Sequence, residues 1–327
     1  MNGTTRPAGQ PALTRQAAYL IGVAGRAPSL HNTQPWRFRV GDGTIELYAD
    51  ATRQLRVDPD GREMLISCGA ALFGLRLAVR SLGYLAEVDL LPARPMLARV
   101  RLGSPSAVTE AERRMLKAVP HRHTHRGAFD PDPVPAGLLA SLQADASAEG
   151  AALVVVDSAA TRRELAAIAA IATRRQGSNP ELRAETLRWS HDAASQARDG
   201  VPAHAFPAAP GHGPGWLPQR DYDLSRGFGL ISADGPAAPV TAVLLTAGDG
   251  EREWLQAGQA LNRLLLHAAG HWVFASLNSQ PLEEPDTRAL ISGCLAQPGS
   301  PQMLLQLGLS RTTHPTARRA VADVTWL

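Results

Sequence analysis

Two cysteines in 327 residues, Cys68 and Cys294, are too few for a disulfide framework. Both lie in apolar patterns, which fits buried free thiols in a reducing compartment. No apolar run approaches the roughly 20 residues that a bilayer-spanning helix needs. Residues 1–11 are polar and carry no hydrophobic signal core. These absences lead us to expect a cytoplasmic protein with no membrane partner. The net charge is only +3, so no nucleic-acid footprint is present. Lysine is nearly missing: Lys117 stands alone among 33 basic residues, a bias to which we attach no function. No G-x-G-x-x-G follows a strand pattern, which excludes a Rossmann nicotinamide site. Ser-x-x-Lys and G-x-S-x-G nucleophile motifs are absent too.

The apolar fraction, 44%, is that of an ordinary globular protein long enough for one large domain or two small ones. Residues 1–13 read as a disordered tail. Periodicity predicts a helix over 14–26 with Thr14 as N-cap. Alternation at Trp36, Phe38 and Val40, then at Ile45, Leu47 and Ala49 about Asp42-Gly43, predicts a hairpin. A long helix is expected from Arg62 to Leu82, then strands at 84–91 and 96–102. Thr109 and Glu112 form a capping box for a helix to Val119. Further on, the pattern gives helices at 136–146, 159–175, 181–198 and 251–269, and strands at 152–156, 240–245 and 303–307. Residues 200–238 are rich in Gly and Pro yet hold Phe206, Trp216, Tyr222 and Phe228. Long irregular stretches are usually functional or disordered; the aromatics favour a lid.

One repeat stands out. Shifting the first long helix by 189 residues carries Leu65, Cys68, Gly69, Ala71, Leu72, Leu75, Leu77 and Val79 onto Trp254, Ala257, Gly258, Ala260, Leu261, Leu264, Leu266 and Ala268. Any two amphipathic helices share a period. The matched glycines and small residues go further and suggest two helices packed closely about a pseudo-twofold axis.

Two motifs carry chemistry. The first is Ala27-Pro28-Ser29-Leu30-His31-Asn32-Thr33-Gln34-Pro35-Trp36. Each Pro fixes its own φ and keeps the preceding residue out of helix, so a stiff loop displays a hydroxyl, an imidazole and two carboxamides. Asn32 and Gln34 each donate and accept, which suits a heterocycle such as a flavin; Ser, His and Asn also serve plain turns and caps. The second is Arg122-His123-Thr124-His125-Arg126. In extended chain Arg122, Thr124 and Arg126 share one face, and Arg is the planar, bidentate partner of phosphate. The alternatives are a solvated loop, or a metal held by His121, His123 and His125, for which no further Cys/His cluster completes a site. Arg318-Arg319 is a third basic element, with Arg311 upstream as a substitute. Ser276-Leu277-Asn278 reads as a turn.

Pro-Ser-x-x-Asn-x-Gln-Pro-Trp and Arg-x-Thr-x-Arg resemble the signatures of nitroreductase-fold FMN flavoproteins. His-Asn-Thr-Gln-Pro-Trp-Arg-Phe is similar to the Acg-type subfamily, which looks like the usual intertwined dimer fused into one chain. The resemblance implies an α+β fold, a three-layer α/β/α sandwich internally duplicated. The halves would be residues 14–120 and 121–327, the second with a lid at about 200–238. It implies one FMN at their junction, its phosphate end on Arg122, Thr124 and Arg126 and its ring flanked by Ser29, His31, Asn32 and Gln34. Arg318 and Arg319 would add phosphate contacts, although the family's following Pro is Ala320 here. Ser276 would approach the ring, although the Gly usual before it is replaced by Trp272. The implied activity moves electrons from NAD(P)H or another donor to a small acceptor such as a nitroaromatic or quinone, in a monomeric pseudo-dimer or weak homodimer. Ser29 and His31 are the candidate proton donors. The alternative is a flavin-sequestering or redox-storage protein whose lid shields the FMN.

Overall fold

The computed structural model describes residues 10–41, 43–207, 217–230 and 239–326. Asp42 of the expected turn, residues 1–9 of the expected tail and Trp216 of the expected lid lie outside these. In chain order the elements are α1 (Gln10–Ala24), β1 (Trp36–Gly41), β2 (Thr44–Ala49), α2 (Arg62–Ser81), β3 (Tyr84–Ala93), β4 (Met96–Pro105) and α3 (Glu110–Ala118). They continue with α4 (Ala136–Ala148), β5 (Ala151–Val155), α5 (Ala159–Ser178), α6 (Pro180–Arg188), β6 (Ser190–His191), β7 (Val201–Pro202) and β8 (Val240–Thr246). The last are α7 (Glu251–Ala269), β9 (Val273–Leu277), α8 (Gln280–Glu283), α9 (Pro285–Cys294), β10 (Ser300–Leu309), α10 (Val321–Val324) and β11 (Thr325–Trp326).

The two main sheets repeat one plan. The first has the order β11-β1-β2-β4-β3 and the second β5-β8-β10-β9. Setting β11 aside, each runs antiparallel throughout, with β1, β2, β4 and β3 matched by β5, β8, β10 and β9. α2 precedes β3 as α7 precedes β9. The halves differ in what is inserted. Only two residues separate β1 from β2, whereas α5, α6 and the segment after them intervene between β5 and β8. The end of the chain also crosses back: β11 pairs in parallel with β1, Phe38 opposite Thr325.

The repeat predicted from sequence is a physical contact. A Cβ on Gly69 of α2 would lie 2.2 Å from the Leu255 carbonyl oxygen of α7, and one on Gly258 would lie 2.0 Å from the Ile66 oxygen of α2. Leu255 and Ile66 are themselves related by the 189-residue shift. The contact is therefore reciprocal, each glycine admitting the other helix's backbone. α2 packs its apolar stripe (Leu65, Cys68, Leu72, Leu75, Val79) on α1 and the first sheet. α7 packs Leu261, Leu264 and Ala268 on α4 and the second. By length and composition α2 could cross a membrane, but 78% of its most apolar window is buried. The second sheet is covered on both faces, with α5 and α9 on the far side. The first leaves its far face polar, where Arg39, Arg99 and Tyr48 converge on Glu46.

Several boundaries differ from expectation. α1 starts at Gln10, so Thr14 sits within the helix rather than at its cap; Pro11 falls in the first turn, where no N–H is needed. The helix expected over 181–198 stops at Arg188. There Trp189 packs against Leu55 and Val57 and its carbonyl accepts from the Val201 amide, turning the chain into β6 and β7. Ser276 is not in a turn: Val273–Leu277 is a buried strand, too uniformly apolar to show alternation. Thr109 and Glu112 form the predicted reciprocal cap.

Candidate functional site

A cleft of about 720 Å³, counting the space at its open mouth, lies between α2, β9 and the Gln-Pro-Trp loop. It is lined by Ser29 and His31 from the Gln-Pro-Trp loop, Glu63 and Ser67 from α2, Thr124 and Arg126, and Ser276 and Asn278 from β9 and its exit. Gln219, Arg220 and Tyr222 cover it from the 217–230 segment. These residues of the 200–238 stretch thus form a cover over the cleft. Asp223 binds the Gly227, Phe228 and Gly229 amides, and Phe206, Tyr222 and Phe228 pack as a small core. Arg220 fastens it to α8 through a two-pronged bond to buried Glu283 at 2.6 and 2.7 Å.

The Gln-Pro-Trp loop is strained as well as stiff. His31, Asn32 and Gln34 adopt φ of 51°, 56° and 51°, a left-handed conformation that costs about 1–2 kcal/mol for a residue with a Cβ. Side-chain bonds hold it there, which revises the expected role of the carboxamides. Gln34 donates both amide protons, to the Asn32 and Arg198 carbonyls, and accepts from the Arg319 amide, so its donors are spent within the protein. Asn32 donates to the Gly200 and Ala317 carbonyls, so only its Oδ1 is free. Both residues staple the cover's root and the C-terminal segment to the loop, and neither lines the cleft. Ser29 accepts from the Gln34 amide and still lines it.

Arg122-His123-Thr124-His125-Arg126 runs beside β9 through a parallel bridge from Thr124 to Ala275. The expected alternation follows. Thr124 and Arg126 face the cleft, while His123 and His125 turn to Phe274 and Phe129, each at 4.5 Å between ring centroids. Among the described residues no three His, Cys, Asp or Glu side chains gather to hold a metal. Arg122 lies behind Arg126, beside Arg26 and Arg318. Its Nη2 reaches the Arg26 carbonyl at 3.3 Å and its Nη1 has no partner. Arg318 binds the Arg26, Ala27, Thr316 and Ala317 carbonyls and the Thr316 hydroxyl, and leaves only Nε bare.

Among the described residues no carboxylate pairs with Arg122, Arg126 or Arg318. Burial, then the charges of Arg126 and Arg26, push Arg122 down to about 10. Burial and the neighbouring guanidiniums depress Arg318 and burial depresses Arg126. Clustered, desolvated, unpaired cations are unfavourable unless an anion joins them. Arg319, by contrast, turns away to Gln34, Asp50 and Asp323. Arg311 stands at the surface near Asp130 and Asp132. Of the two C-terminal candidates only Arg318 belongs to the cluster. Trp272, where a Gly was expected, keeps a left-handed φ of 58° and stacks on His121.

Sequence reasoning missed Arg26, Glu63, Ser67 and Arg220. Arg220 had only local cues, and its role depends on segments brought together by the fold. The cleft also holds two bare buried atoms, His31 Nδ1 and Asn278 Oδ1. A polar ligand that offers hydrogen bonds at one end and an anion at the other fits this donor set.

The buried rings predict a pH response. Burial holds His31 and His125 below the usual 6.5 and takes His123 to about 3. The unfolded chain takes up protons near 6.5 and the folded one does not, so each ring stabilises above that pH and loses the contribution on acidification. The slope is up to about 1.4 kcal/mol per pH unit per ring. Glu63, raised to about 7, works the other way and loses stabilisation as pH rises from 4.5 to 7. Three rings outweigh one carboxyl, so the melting temperature should fall between pH 6.5 and 5. His123→Phe should flatten the curve; parallel curves for variant and wild type would refute this.

Fold and site together define a two-halved α+β protein with a polar cleft and an anion-seeking cluster at the junction. "Putative NAD(P)H nitroreductase Rv3131" of Mycobacterium tuberculosis H37Rv is 36% identical over 317 residues, 93% of this chain and 89% of that one. "Putative NAD(P)H nitroreductase acg" of the same strain is 28% identical over 313 residues, 93% of each. The chain belongs to the nitroreductase family, in its Acg-type branch. No family model matches it. The FMN-dependent nitroreductase NfnB of Mycobacterium smegmatis, solved in complex with NADPH, aligns with a TM-score of 0.38 at 18% identity, over 67% of this chain and 98% of that one.

Proposed function

We propose that this protein is an FMN-dependent oxidoreductase of nitroreductase type, passing electrons from NAD(P)H or another donor to a small acceptor such as a nitroaromatic or quinone. The observation that carries this reading is the group Arg122, Arg126 and Arg318, buried or half-buried without a carboxylate, at one end of a cleft with unpartnered polar atoms. FMN, when bound, supplies two-electron redox chemistry. Arg122 and Arg318 would hold its phosphate with bare N–H groups, and Thr124 would contribute its hydroxyl. Arg126 would keep positive charge beside the ring. His31 Nδ1, Ser29, Ser276 and Asn278 Oδ1 would address the ring's polar edge. The cover and the Gln-Pro-Trp loop would keep bulk water out.

The halves would be residues 14–120 and 121–327, the second lending β11 to the first. The α2–α7 contact takes the place of a dimer interface in a monomer. Free Cys68 and Cys294 suit the cytoplasm.

A second reading rests on the cover. Arg220 and Tyr222 lie over the cleft and Arg220 is locked to Glu283, an arrangement that would shield a bound flavin and store its electrons. One experiment separates the readings: the visible spectrum of the purified, FMN-loaded protein under anaerobic NADPH. Rapid bleaching is expected of the oxidoreductase. Bleaching by dithionite alone would favour storage. No flavin uptake would end both.

A further inference from the structure

We propose that Glu63 is the acid that protonates the electron acceptor in the cleft. This rests on the oxidoreductase reading. A quinone or nitro group that receives a hydride equivalent also needs a proton on oxygen, and the lining must supply it or admit water.

The lining offers few sources. His31 is neutral, because burial, then Arg220 and Arg126, hold its ring well below the usual range; it has no imidazolium proton to give. Arg126 and Arg220 are guanidiniums, which do not act as acids near neutrality. Ser67 already donates to the Glu63 carbonyl at 2.8 Å. Ser29, Thr124, Tyr222 and Ser276 bring hydroxyls, and alcohols and phenols are far weaker acids than a carboxyl. Glu63 is the one carboxyl group among the described lining residues.

Its placement suits the task. Glu63 is 3% exposed in the first turn of α2, with its side chain at the cleft wall. Arg62, next along α2, contacts Glu63 Oε1 and binds the Gln302 and Leu282 carbonyls. Asp58, before the helix, caps it by accepting from the Glu63 and Met64 amides. Glu283 of α8 and Arg220 of the cover face it from above. Two cations and three carboxyls thus share one dry region, one proton short of balance when all are ionised. Burial first, then Asp58 and Glu283 against Arg62 and Arg220, raises Glu63 to about 7, the range in which an acid both carries and releases a proton at neutral pH.

The step balances. A quinone takes up a hydride, two electrons and one proton, from the reduced flavin. The Glu63 O–H breaks as an O–H forms on the quinone oxygen, giving the hydroquinone. The carboxylate left behind faces Arg62 and Arg220 and regains a proton from water.

The test uses anaerobically photoreduced, FMN-loaded protein mixed with a benzoquinone or with ferricyanide, which takes single electrons and no proton. Glu63→Gln should slow quinone reduction at least about 100-fold and leave ferricyanide reduction within about twofold. The ferricyanide rate also reports that the variant is folded and loaded. Wild-type protein supplies a second check: its quinone rate should fall about tenfold per pH unit above about 7, with a flat ferricyanide rate. In D2O its infrared spectrum should show a protonated-carboxyl band that titrates there, with or without flavin, and that Glu63→Gln lacks. A variant that reduces quinone as fast as wild type, or slows on both acceptors alike, overturns the proposal alone. A wild type that reduces neither acceptor overturns the oxidoreductase reading, and this proposal with it.

Discussion

Arg122→Ala should weaken FMN binding roughly 10- to 150-fold and leave the flavin-free protein at least as stable as wild type. The first figure is the strength of a hydrogen bond to a charged group, about 1.5–3 kcal/mol, converted at about 1.4 kcal/mol per decade. The second follows from what surrounds the side chain. Arg122 is 5% exposed, has one long bond to the Arg26 carbonyl, and is repelled by Arg126 and Arg26. Its burial is a cost that only a bound anion offsets, so removing it relieves the empty protein and harms the loaded one. Melting curves with and without FMN should therefore cross: the variant melts at or above wild type when empty and below it when loaded. Arg318→Ala should also weaken FMN binding but, because it removes bonds to the Arg26, Ala27, Thr316 and Ala317 carbonyls, should lower the stability of the empty protein as well. Arg319→Ala is the contrast, since its bonds to Gln34, Asp323 and Asp50 are structural; it should lower stability and leave FMN affinity within about threefold of wild type. Arg122→Ala protein that stays loaded at dilution would remove the phosphate site from this cluster.

The contrast between Arg318 and Arg319 shows where sequence reading reaches its limit. Long helices with strong stripes were legible almost to the residue: α2 was expected at 62–82 and runs over 62–81, and α7 matched at 251–269. Their period, caps and paired glycines are all local signals. The face shared by Thr124 and Arg126 was legible for the same reason, because two-residue alternation is a property of any extended chain. Long-range partners were not. Nothing near Asn32 or Gln34 announces that their amides bind the backbone at 198–200 and 317–319, so carboxamides beside a cleft read as ligand groups. Glu63 in a helix's first turn reads as a charge placed against the helix dipole. Its partners Arg220 of the cover and Glu283 of α8 come from more than 150 residues away in sequence, so nothing local announces them. β9 and β11 were missed because a buried apolar run and a two-residue strand carry no period.

Gly69→Ala and Gly258→Ala should each destabilise the protein by about 3 kcal/mol or more, near the top of the overpacking range, and lower the melting temperature by about 6–12 °C. Both sit in helix interiors, where alanine is ordinarily the better residue by about 0.5–1 kcal/mol; the sign reverses because of the other helix. The new methyl on Gly69 would lie 2.2 Å from the Leu255 oxygen and 2.9 Å from its Cα, and that on Gly258 would lie 2.0 Å from the Ile66 oxygen and 2.7 Å from the Ala70 nitrogen. These are backbone atoms of the facing helix, so no rotamer change relieves the clash and α2 and α7 must separate. Separation has a functional consequence, since Glu63, Ile66 and Ser67 of α2 and Leu261 of α7 line the same cleft; flavin affinity should fall with stability. Once one methyl has parted the helices the second meets less resistance, so the double variant should cost less than the sum of the two. Gly137→Ala in α4, where an added Cβ meets nothing within 4 Å, is the control and should be neutral or slightly stabilising. Chemical denaturation of the four variants beside wild type decides it: a single Gly69→Ala or Gly258→Ala variant within about 1 kcal/mol of wild type would mean that the two helices do not meet backbone to backbone at these glycines, and the reading of the chain as a fused pair would lose its central contact.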